Sequence, residues 1–328
     1  NLTCLSVSGD VELAWVNNDA YETLTLLRDG NVIAELEGTS TSYTDPLVTP
    51  GNHMYSIAGT ILGNTSTYDS CMEDVPAAIT DLSLSSLADT VTLQWNHSGP
   101  GDEVVIARDG TVIATLSSAE TTYTDTGLAA GDYDYCLTMT IGDGTSPTVC
   151  GLIHVLANPS DLSCVSAAGF VNLSWTNNDA YDTLVIERDG ALLAILSGTD
   201  TSYTDGTAAV GLRSYTLRGE TSTSISGNDS CTVDHFLTAP GNLSCSVTAG
   251  EADLSWTNGD TYESIVVSRD GTLLEILPGD TTSYHDATVV FGARSYSLVA
   301  TGGSIESDPT SCSLNVPAMP MDLSSSSL

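Results

Sequence analysis

The sequence predicts an all-β protein, a tandem array of four antiparallel β-sandwiches followed by the first strand of a fifth. Three observations predict this fold. Distinctive residues recur every 80 or 81 positions, apolar and polar residues alternate along short segments, and every unit has an Asp-Gly pair between two apolar segments. Period-two alternation is typical of half-buried strands, and Asp-Gly favours the tight turn of a β-hairpin. No segment has the apolar stripe of an amphipathic helix.

The repeat is clearest in four residue series with the same spacing. Tryptophan recurs in steps of 80, 80 and 81 residues, and so does the triplet Arg-Asp-Gly. One tyrosine series stands two residues before an aspartate, and a second follows a glycine by four positions. The series are Trp15, Trp95, Trp175 and Trp256; Arg28, Arg108, Arg188 and Arg269; Tyr43, Tyr123, Tyr203 and Tyr284; and Tyr55, Tyr135, Tyr215 and Tyr296. A period of this length indicates one small domain per repeat.

The boundaries between units fall at short, apolar, proline-containing junctions. The expected units are 1–76, 77–157, 158–238 and 239–317, and residues 318–328 begin a fifth repeat. Asp322 to Leu328 match Asp81 to Leu87, which open the second unit. Junctions of this kind leave little slack, so we expect neighbouring units to form a semi-rigid array.

The combined motifs resemble bacterial fibronectin type III domains. In each unit, a strand ending Leu-x-Trp is followed by a strand running into Arg-Asp-Gly, and then by a Tyr-x-Asp segment and Gly-x-x-x-Tyr. The resemblance covers all four units and implies immunoglobulin-like sandwiches of seven strands. It also implies that Trp15 and its equivalents lie in the core and that Tyr55 and its equivalents lie at the corner before the sixth strand. Two features depart from the family. Cysteine is not typical of it, and the tyrosine found at Tyr21, Tyr181 and Tyr262 is replaced in unit two by Gly101.

The eight cysteines predict four disulfides. Three pairs, each separated by 67 positions, lie at the two ends of units one, three and four: Cys4 with Cys71, Cys164 with Cys231, and Cys245 with Cys312. Unit two has Leu84 and Gly151 at these places, and joint loss of both cysteines is what pairing between them would produce. Cys136 and Cys150 remain and form the fourth pair. A zinc site would need cysteines two to four residues apart, and there are none. Disulfides place the protein outside the cytoplasm.

The charge excludes several classes of partner. The chain has 42 acidic and 7 basic residues, a formal net charge of -35, and all seven cations are arginines. Nucleic-acid binding and anchoring to an anionic membrane both need clustered cations. The longest apolar stretches are far shorter than the roughly 20 residues that span a bilayer, so we expect no membrane insertion.

The acidic surface has two interpretations. It suits solvation at high ionic strength, where self-repulsion is screened. Alternatively, the acidic loops bind Ca²⁺ through paired carboxylates, although no diagnostic spacing such as that of an EF-hand is present. The candidate ligands are Asp19 with Glu22, Asp179 with Asp182, and Asp260 with Glu263. No other cofactor or metal is expected.

Six Asn-x-Ser/Thr triplets are candidate N-glycosylation sites. In a chain this rich in Ser and Thr, several would occur by chance. They begin at Asn1, Asn64, Asn96, Asn172, Asn228 and Asn242.

Catalysis is not expected. The distinctive residues recur in three or four units, whereas a catalytic group should be singular, and the five histidines share no position in the repeat. The sequence has no phosphate-binding loop, dinucleotide fingerprint or nucleophile motif.

The sequence therefore favours a secreted or cell-surface structural protein, a segment of an extracellular fibre, stalk or sheath. We expect it to associate with identical chains, end to end or laterally. Two alternatives remain open: an adhesive or glycan-binding repeat protein, and a set of spacer modules in a secreted polysaccharide-degrading enzyme.

Overall fold

The computed structural model describes residues 1–167, 169–303 and 305–318 and contains only strands and turns in these ranges. None of the described residues forms a helix that could cross a bilayer. The chain divides into two compact units. One contains Asn1–Ala157 with Glu220–Gly227, and the other contains Asn158–Gly219 with the described residues from Asn228 onward. Of the expected fifth repeat, residues 319–328 lie outside the described ranges.

The first repeat forms a sandwich of two antiparallel sheets. One sheet has the order β1-β2-β5 and the other has the order β4-β3-β6-β8, with the short strand β7 paired to the end of β6. Three strands facing four is the arrangement of a fibronectin type III-like sandwich. The strands are β1 (Thr3–Val7), β2 (Asp10–Ala14), β3 (Thr23–Arg28), β4 (Asn31–Glu37), β5 (Ser42–Asp45), β6 (Gly51–Ile61), β7 (Asn64–Thr65) and β8 (Asp69–Val75).

The second repeat has the same strand set, with β9-β10-β13 facing β12-β11-β14-β16. Its strands are β9 (Ile79–Leu87), β10 (Thr90–His97), β11 (Glu103–Arg108), β12 (Thr111–Ser117), β13 (Thr122–Asp125), β14 (Gly131–Ile141), β15 (Gly144–Thr145) and β16 (Val149–Val155).

The third and fourth sequence repeats contain the same eight strands in the same order. The third has β17 (Ser160–Ala167), β18 (Phe170–Thr176), β19 (Thr183–Arg188), β20 (Ala191–Ser197), β21 (Ser202–Asp205), β22 (Gly211–Glu220), β23 (Ser224–Ile225) and β24 (Asp229–His235). The fourth has β25 (Gly241–Thr248), β26 (Glu251–Thr257), β27 (Ser264–Arg269), β28 (Thr272–Pro278), β29 (Ser283–Asp286), β30 (Gly292–Gly302), β31 (Ile305–Glu306) and β32 (Thr310–Val316).

The core of each sandwich is built from the alternating apolar residues. Val11 and Leu13 are almost fully buried, and Trp15 is 7% exposed. They pack against Leu24 and Leu26 of the facing sheet. Because side chains on a strand alternate between its two faces, Glu12 and Ala14 are exposed on the same strand.

The Asp-Gly pairs form the predicted hairpin turns. Asp29 and Gly30 both have positive φ, 51° and 78°, between β3 and β4. Aspartate tolerates this conformation because its short side chain hydrogen-bonds nearby backbone, and Asp29 Oδ1 accepts from the Met54 N–H at 2.9 Å. The same dihedral pattern recurs at Asp109, Asp189 and Asp270 with their glycines.

The missing tyrosine of the second repeat is explained by an exchange of side-chain size. In the first repeat the ring of Tyr21 lies over Gly59, where a Cβ would come within 2.2 Å of ring atom Cδ1. In the second repeat Gly101 replaces the tyrosine, and Met139 replaces the glycine. A Cβ on Gly101 would lie 2.2 Å from the Met139 Sδ. The large side chain therefore fills the same space from the opposite strand.

This exchange predicts non-additive effects on stability. Met139→Gly alone should open a cavity and cost about 2 to 5 kcal/mol, and Gly101→Tyr alone should overpack the site and cost about 1 to 3 kcal/mol. The double variant restores the first-repeat combination, so its loss should be smaller than the sum by about 1 kcal/mol or more. Chemical denaturation followed by Trp95 fluorescence, in a chain whose other three tryptophans are phenylalanine, measures this. Additive losses would contradict the exchange.

Candidate functional sites

Three disulfides join the first strand of a repeat to its last. Cys4 in β1 is bonded to Cys71 in β8, with the two Cα atoms 6.1 Å apart. These strands belong to different sheets, so the bond links the two layers of the sandwich near both ends of the repeat. Equivalent bonds join Cys164 to Cys231 and Cys245 to Cys312. A loop of 67 residues closed in this way stabilises the fold by about 4 kcal/mol in the chain-entropy treatment.

The second repeat has a different bond. Cys136 and Cys150 are directly opposite each other on β14 and β16, within one sheet, with the Cα atoms 4.1 Å apart. The site of the missing inter-sheet bond is filled by Leu84, whose Cδ1 lies 2.9 Å from where a Cβ on Gly151 would stand. The second repeat is therefore linked within a sheet and packed by an apolar side chain between the sheets.

A partly buried group of Arg, Asp and Tyr recurs in all four repeats and also connects the two sheets. Asp45 lies at the end of β5 in one sheet, and Arg28 and Tyr55 lie on β3 and β6 of the other. Arg28 Nη1 donates to Asp45 Oδ2 at 2.6 Å, and the Tyr55 hydroxyl donates to the same oxygen at 2.9 Å. Equivalent groups are Arg108, Asp125 and Tyr135; Arg188, Asp205 and Tyr215; and Arg269, Asp286 and Tyr296.

The environment of this group shifts the pKa values of its members in opposite directions. Burial raises the pKa of Tyr296 to about 12, assisted by its hydrogen bond to Asp286 and the charge of that carboxylate. Burial alone would raise the pKa of Asp286 as well. Hydrogen bonds from Thr288, Tyr296 and Arg269 outweigh burial and hold the Asp286 pKa below its usual value. The group is thus stable with a charged carboxylate and a neutral phenol.

The sequence motifs alone do not identify the ion-pair partner of Arg28 and its equivalents. The partner is Asp45, and its signal was visible, because the Tyr-x-Asp motif recurs with the same period as Arg-Asp-Gly. What the sequence lacked was the register that brings the end of β5 next to β3 and β6.

The structure does not gather the candidate calcium ligands into a shared cluster. Asp19, Asp179 and Asp260 each accept a hydrogen bond from the N–H of the following residue. Glu263 Oε2 accepts from the Gly303 N–H at 3.2 Å. Within the described ranges, the only trio of metal-ligating side chains whose ligand atoms lie within 4.8 Å of one another is Asp134, Cys136 and Cys150, and its two cysteines form a disulfide. Calcium binding by Asp19 with Glu22, Asp179 with Asp182, and Asp260 with Glu263 stays a prediction.

All six candidate glycosylation asparagines lie at the surface. They differ in local structure. Asn64 begins the short strand β7, while Asn172 lies on β18, where its Oδ1 accepts from the Thr204 hydroxyl at 2.9 Å. Asn1, Asn96, Asn228 and Asn242 are also exposed. Surface position permits modification, and modification of each site stays a prediction.

A polar groove lies at one end of the first repeat. Its volume is about 300 Å³, and Trp15, Tyr21 and the exposed Tyr68 contribute aromatic surface. Asn17 Nδ2 donates to the carbonyls of Gly38 and Ser40, which anchors one wall. The remaining lining residues include Val16, Asn18 and Asp69.

Comparison with known proteins gives structural neighbours only. No family model matches the chain, and no curated protein matches it. The central fibronectin-III array of RIM-binding protein is 15% identical, with 75% of this chain and 98% of that chain covered and a TM-score of 0.25. A two-domain fibronectin type III segment of chicken tenascin is 21% identical, with coverage of 48% and 99% and a TM-score of 0.29. The fibronectin(III)-like modules of Clostridium thermocellum CbhA are 18% identical, with coverage of 47% and 94% and a TM-score of 0.29. At such identities the likeness concerns the fold and not the function.

Because Tyr296 is buried, we expect the fourth repeat to lose stability in alkali. A phenol in the unfolded chain titrates near pH 10, whereas folded Tyr296 keeps its proton to about pH 12. Its contribution to the stability is therefore fully present below about pH 10 and is lost as pH rises toward about 12, by about 3 kcal/mol. Chemical denaturation followed by Trp256 fluorescence, in a chain whose other three tryptophans are phenylalanine, should show this decline.

Two variants separate the buried phenol from general alkaline effects. Tyr296→Phe should lower the stability of the fourth repeat at neutral pH, because a hydrogen bond to a buried carboxylate is lost, and should flatten the decline between about pH 10 and about pH 12. Tyr68→Phe removes an exposed phenol and should leave the decline unchanged. An unchanged slope in Tyr296→Phe would contradict the assignment.

Proposed function

We propose that this chain is a load-bearing structural segment of an extracellular fibre, stalk or sheath and has no catalytic role. The tandem fibronectin type III-like architecture with its disulfides is that of structural and spacer modules. The observation that carries the more specific proposal is the position of the bonds. Cys4 and Cys71 lie near the two points where the chain enters and leaves the first repeat.

The position of these bonds determines how tension passes through a repeat. Force applied to the chain ends reaches Cys4 after only three residues of the first repeat and leaves through β8 shortly after Cys71. The disulfide carries the force directly between these two points, so the residues between them bear no load. The third and fourth repeats have the same covalent path.

The second repeat transmits tension differently. Its disulfide joins residues only 14 positions apart, within the hairpin of β14 and β16. Force entering at β9 must therefore pass through the hydrogen bonds and the core of the sandwich. This repeat should be the extensible element of the array, and the other three should be inextensible while their disulfides remain intact.

The disulfides also lead us to propose that the protein is secreted or lies at the cell surface. Four disulfides form and persist in an oxidising compartment. The acidic, lysine-free composition suits exposure to a medium of high ionic strength, where repulsion between neighbouring chains is screened. The proposal includes association with identical chains and any contact with glycans.

Single-molecule stretching tests the load path. Without reductant, pulling on the two ends should give one extension event, from the second repeat. With reductant, three further events should appear, each releasing up to about 230 Å as 67 residues become free. The matched control is a chain with Cys136→Ser and Cys150→Ser, which should keep the three inextensible repeats and only lengthen the single event. Three long events without reductant would refute the load path.

Electron microscopy tests the assembly. Native, unreduced material from its source should form long fibres whose axial repeat matches the domain array. Short rods ending in a compact head would instead identify these repeats as spacers and place the function in the head.

A further inference from the structure

The disulfide of the second repeat lies on the outer surface of one sheet, unlike the other three. Tyr135 and Leu137 on β14 are fully buried, so Cys136 between them faces away from the core. Its partner on β16, Cys150, is exposed to solvent. The cysteines of the other repeats are all partly buried: Cys4, Cys71, Cys164, Cys231, Cys245 and Cys312. Those of the first and fourth repeats pack against the apolar cores. The sulfur that a dissolved thiol reaches most easily is therefore that of Cys150.

The sheet keeps these two cysteines opposite each other independently of their bond. β14 and β16 are paired at seven positions, of which Cys136 with Cys150 is one. The two strands are also fixed by side chains that point into the core, among them Tyr135 and Ile153. Breaking the S–S bond should therefore leave the strands paired, with two thiols that face each other and can re-form the bond.

Asp134 places a negative charge beside the bond. It lies two residues before Cys136 on the same face of β14, and its Oδ2 is 3.7 Å from the Cys136 Sγ. A disulfide is attacked by a thiolate, which brings its own negative charge to the sulfur atoms. The carboxylate therefore repels the incoming thiolate, and it repels most strongly a thiol that carries a second negative charge.

We propose that Cys136–Cys150 is a thiol-exchange site whose substrates are small thiols with no negative charge apart from the reacting sulfur. Exposure directs the attack to Cys150, and Asp134 sets the preference for charge. Exchange takes place in the folded repeat, while the three inter-sheet disulfides stay intact.

A small dithiol reduces the bond in two steps. Its first thiolate attacks the Cys150 Sγ and forms a mixed disulfide, and the electron pair of the broken S–S bond goes to the Cys136 Sγ, which takes up a proton. The second thiolate then attacks the reagent's own sulfur in the mixed disulfide, and Cys150 leaves as a thiolate and takes up a second proton. The protein gains two electrons and two protons, and the dithiol loses both and closes into a cyclic disulfide. Two molecules of a monothiol do the same and end as their own disulfide.

Exchange at this site changes the reach of the second repeat. While the bond is intact, the segment between two cysteines 14 positions apart stays closed when the sandwich is pulled open. After reduction the same segment extends with the rest of the repeat and adds up to about 45 Å. This consequence rests on the proposed load-bearing function, whereas the exchange chemistry does not.

Alkylation shows whether this disulfide reacts alone. The folded full chain is treated with cysteamine, a cationic thiol, then alkylated with excess iodoacetamide and mapped by mass spectrometry. Alkylation should appear first at Cys136 and Cys150, while the other six cysteines stay bonded. The matched control, Cys136→Ser with Cys150→Ser, should show no alkylation over the same time. Equal or faster alkylation of the inter-sheet cysteines would overturn the proposal.

The preference for charge tests the role of Asp134. Reduction by cysteamine is compared with reduction by mercaptoethanesulfonate, an anionic thiol, at about 0.1 M salt. Asp134→Asn should accelerate the anionic thiol by about 3- to 5-fold, because it removes a unit charge about 4 Å from the bond. Cysteamine has no net charge as a thiolate, so its rate should change much less.

Asp132→Asn is the matched control for this charge. Asp132 lies on the same face of β14, two residues further from Cys136, so the substitution changes the net charge equally at a greater distance. Because screening acts within about 10 Å at this salt concentration, neither rate should change by more than about 2-fold. Equal acceleration by both variants would overturn the role of Asp134.

Stretching separates the exchange site from the load-bearing function. In the cysteamine-treated chain, the single extension event should lengthen by up to about 45 Å, with no new long events. Selective alkylation with an unchanged event would support the exchange site and contradict the load path. Unselective alkylation, with one event from the untreated chain, would overturn the exchange site and leave the load-bearing function standing.

Discussion

Each repeat depends on one carboxylate between its two sheets, which is buried in three repeats and partly buried in the second. Asp45 and its equivalents carry a negative charge into the space between two sheets, where a charge without partners would be costly. The arginine at the end of the third strand and the tyrosine of the sixth strand both donate to it, so this interaction fixes the position of one sheet relative to the other. The Arg-Asp-Gly hairpin, the Tyr-x-Asp strand and Gly-x-x-x-Tyr are thus three parts of one polar link. They recur together because none of them is satisfied without the others.

The inter-sheet disulfide adds a covalent link with a different role. The polar link acts in the folded state, where it selects one arrangement of the sheets. The disulfide acts mainly by restricting the unfolded chain, since it removes the entropy of a loop of 67 residues. The second repeat retains the polar link and replaces the covalent one with apolar packing by Leu84. The fold therefore tolerates loss of the covalent link but keeps the polar one in every copy.

The repeat arithmetic was enough to predict strands, hairpin turns and the partner of each cysteine, because these depend on residues at fixed spacing. The tandem β-sandwich architecture predicted from period-two alternation is confirmed. Contacts between positions distant in the repeat were less accessible. The exchange of Tyr21 and Gly59 for Gly101 and Met139 is a difference between repeats, and only the register of β6 and β14 shows that both members fill the same space.

The arginines show how little of the positive charge remains at the surface for binding. All seven are in ion pairs with carboxylates. Four belong to the groups of Arg, Asp and Tyr between the sheets, and three form the pairs of Arg213 with Asp189, Arg218 with Glu187, and Arg294 with Asp270. Each cation is used to hold the fold together. The remaining acidic residues set the field around the molecule, which repels other anionic surfaces at low salt.

The bond between the first and last strands also determines what a protease can do to the protein. A single cut anywhere between Cys4 and Cys71 leaves both fragments attached through the disulfide, so the chain remains covalently continuous from one repeat to the next. The same holds between Cys164 and Cys231 and between Cys245 and Cys312. In the second repeat, only a cut between Cys136 and Cys150 is tolerated in this way. The integrity of the chain under proteolysis therefore depends most on how well the second repeat resists local opening.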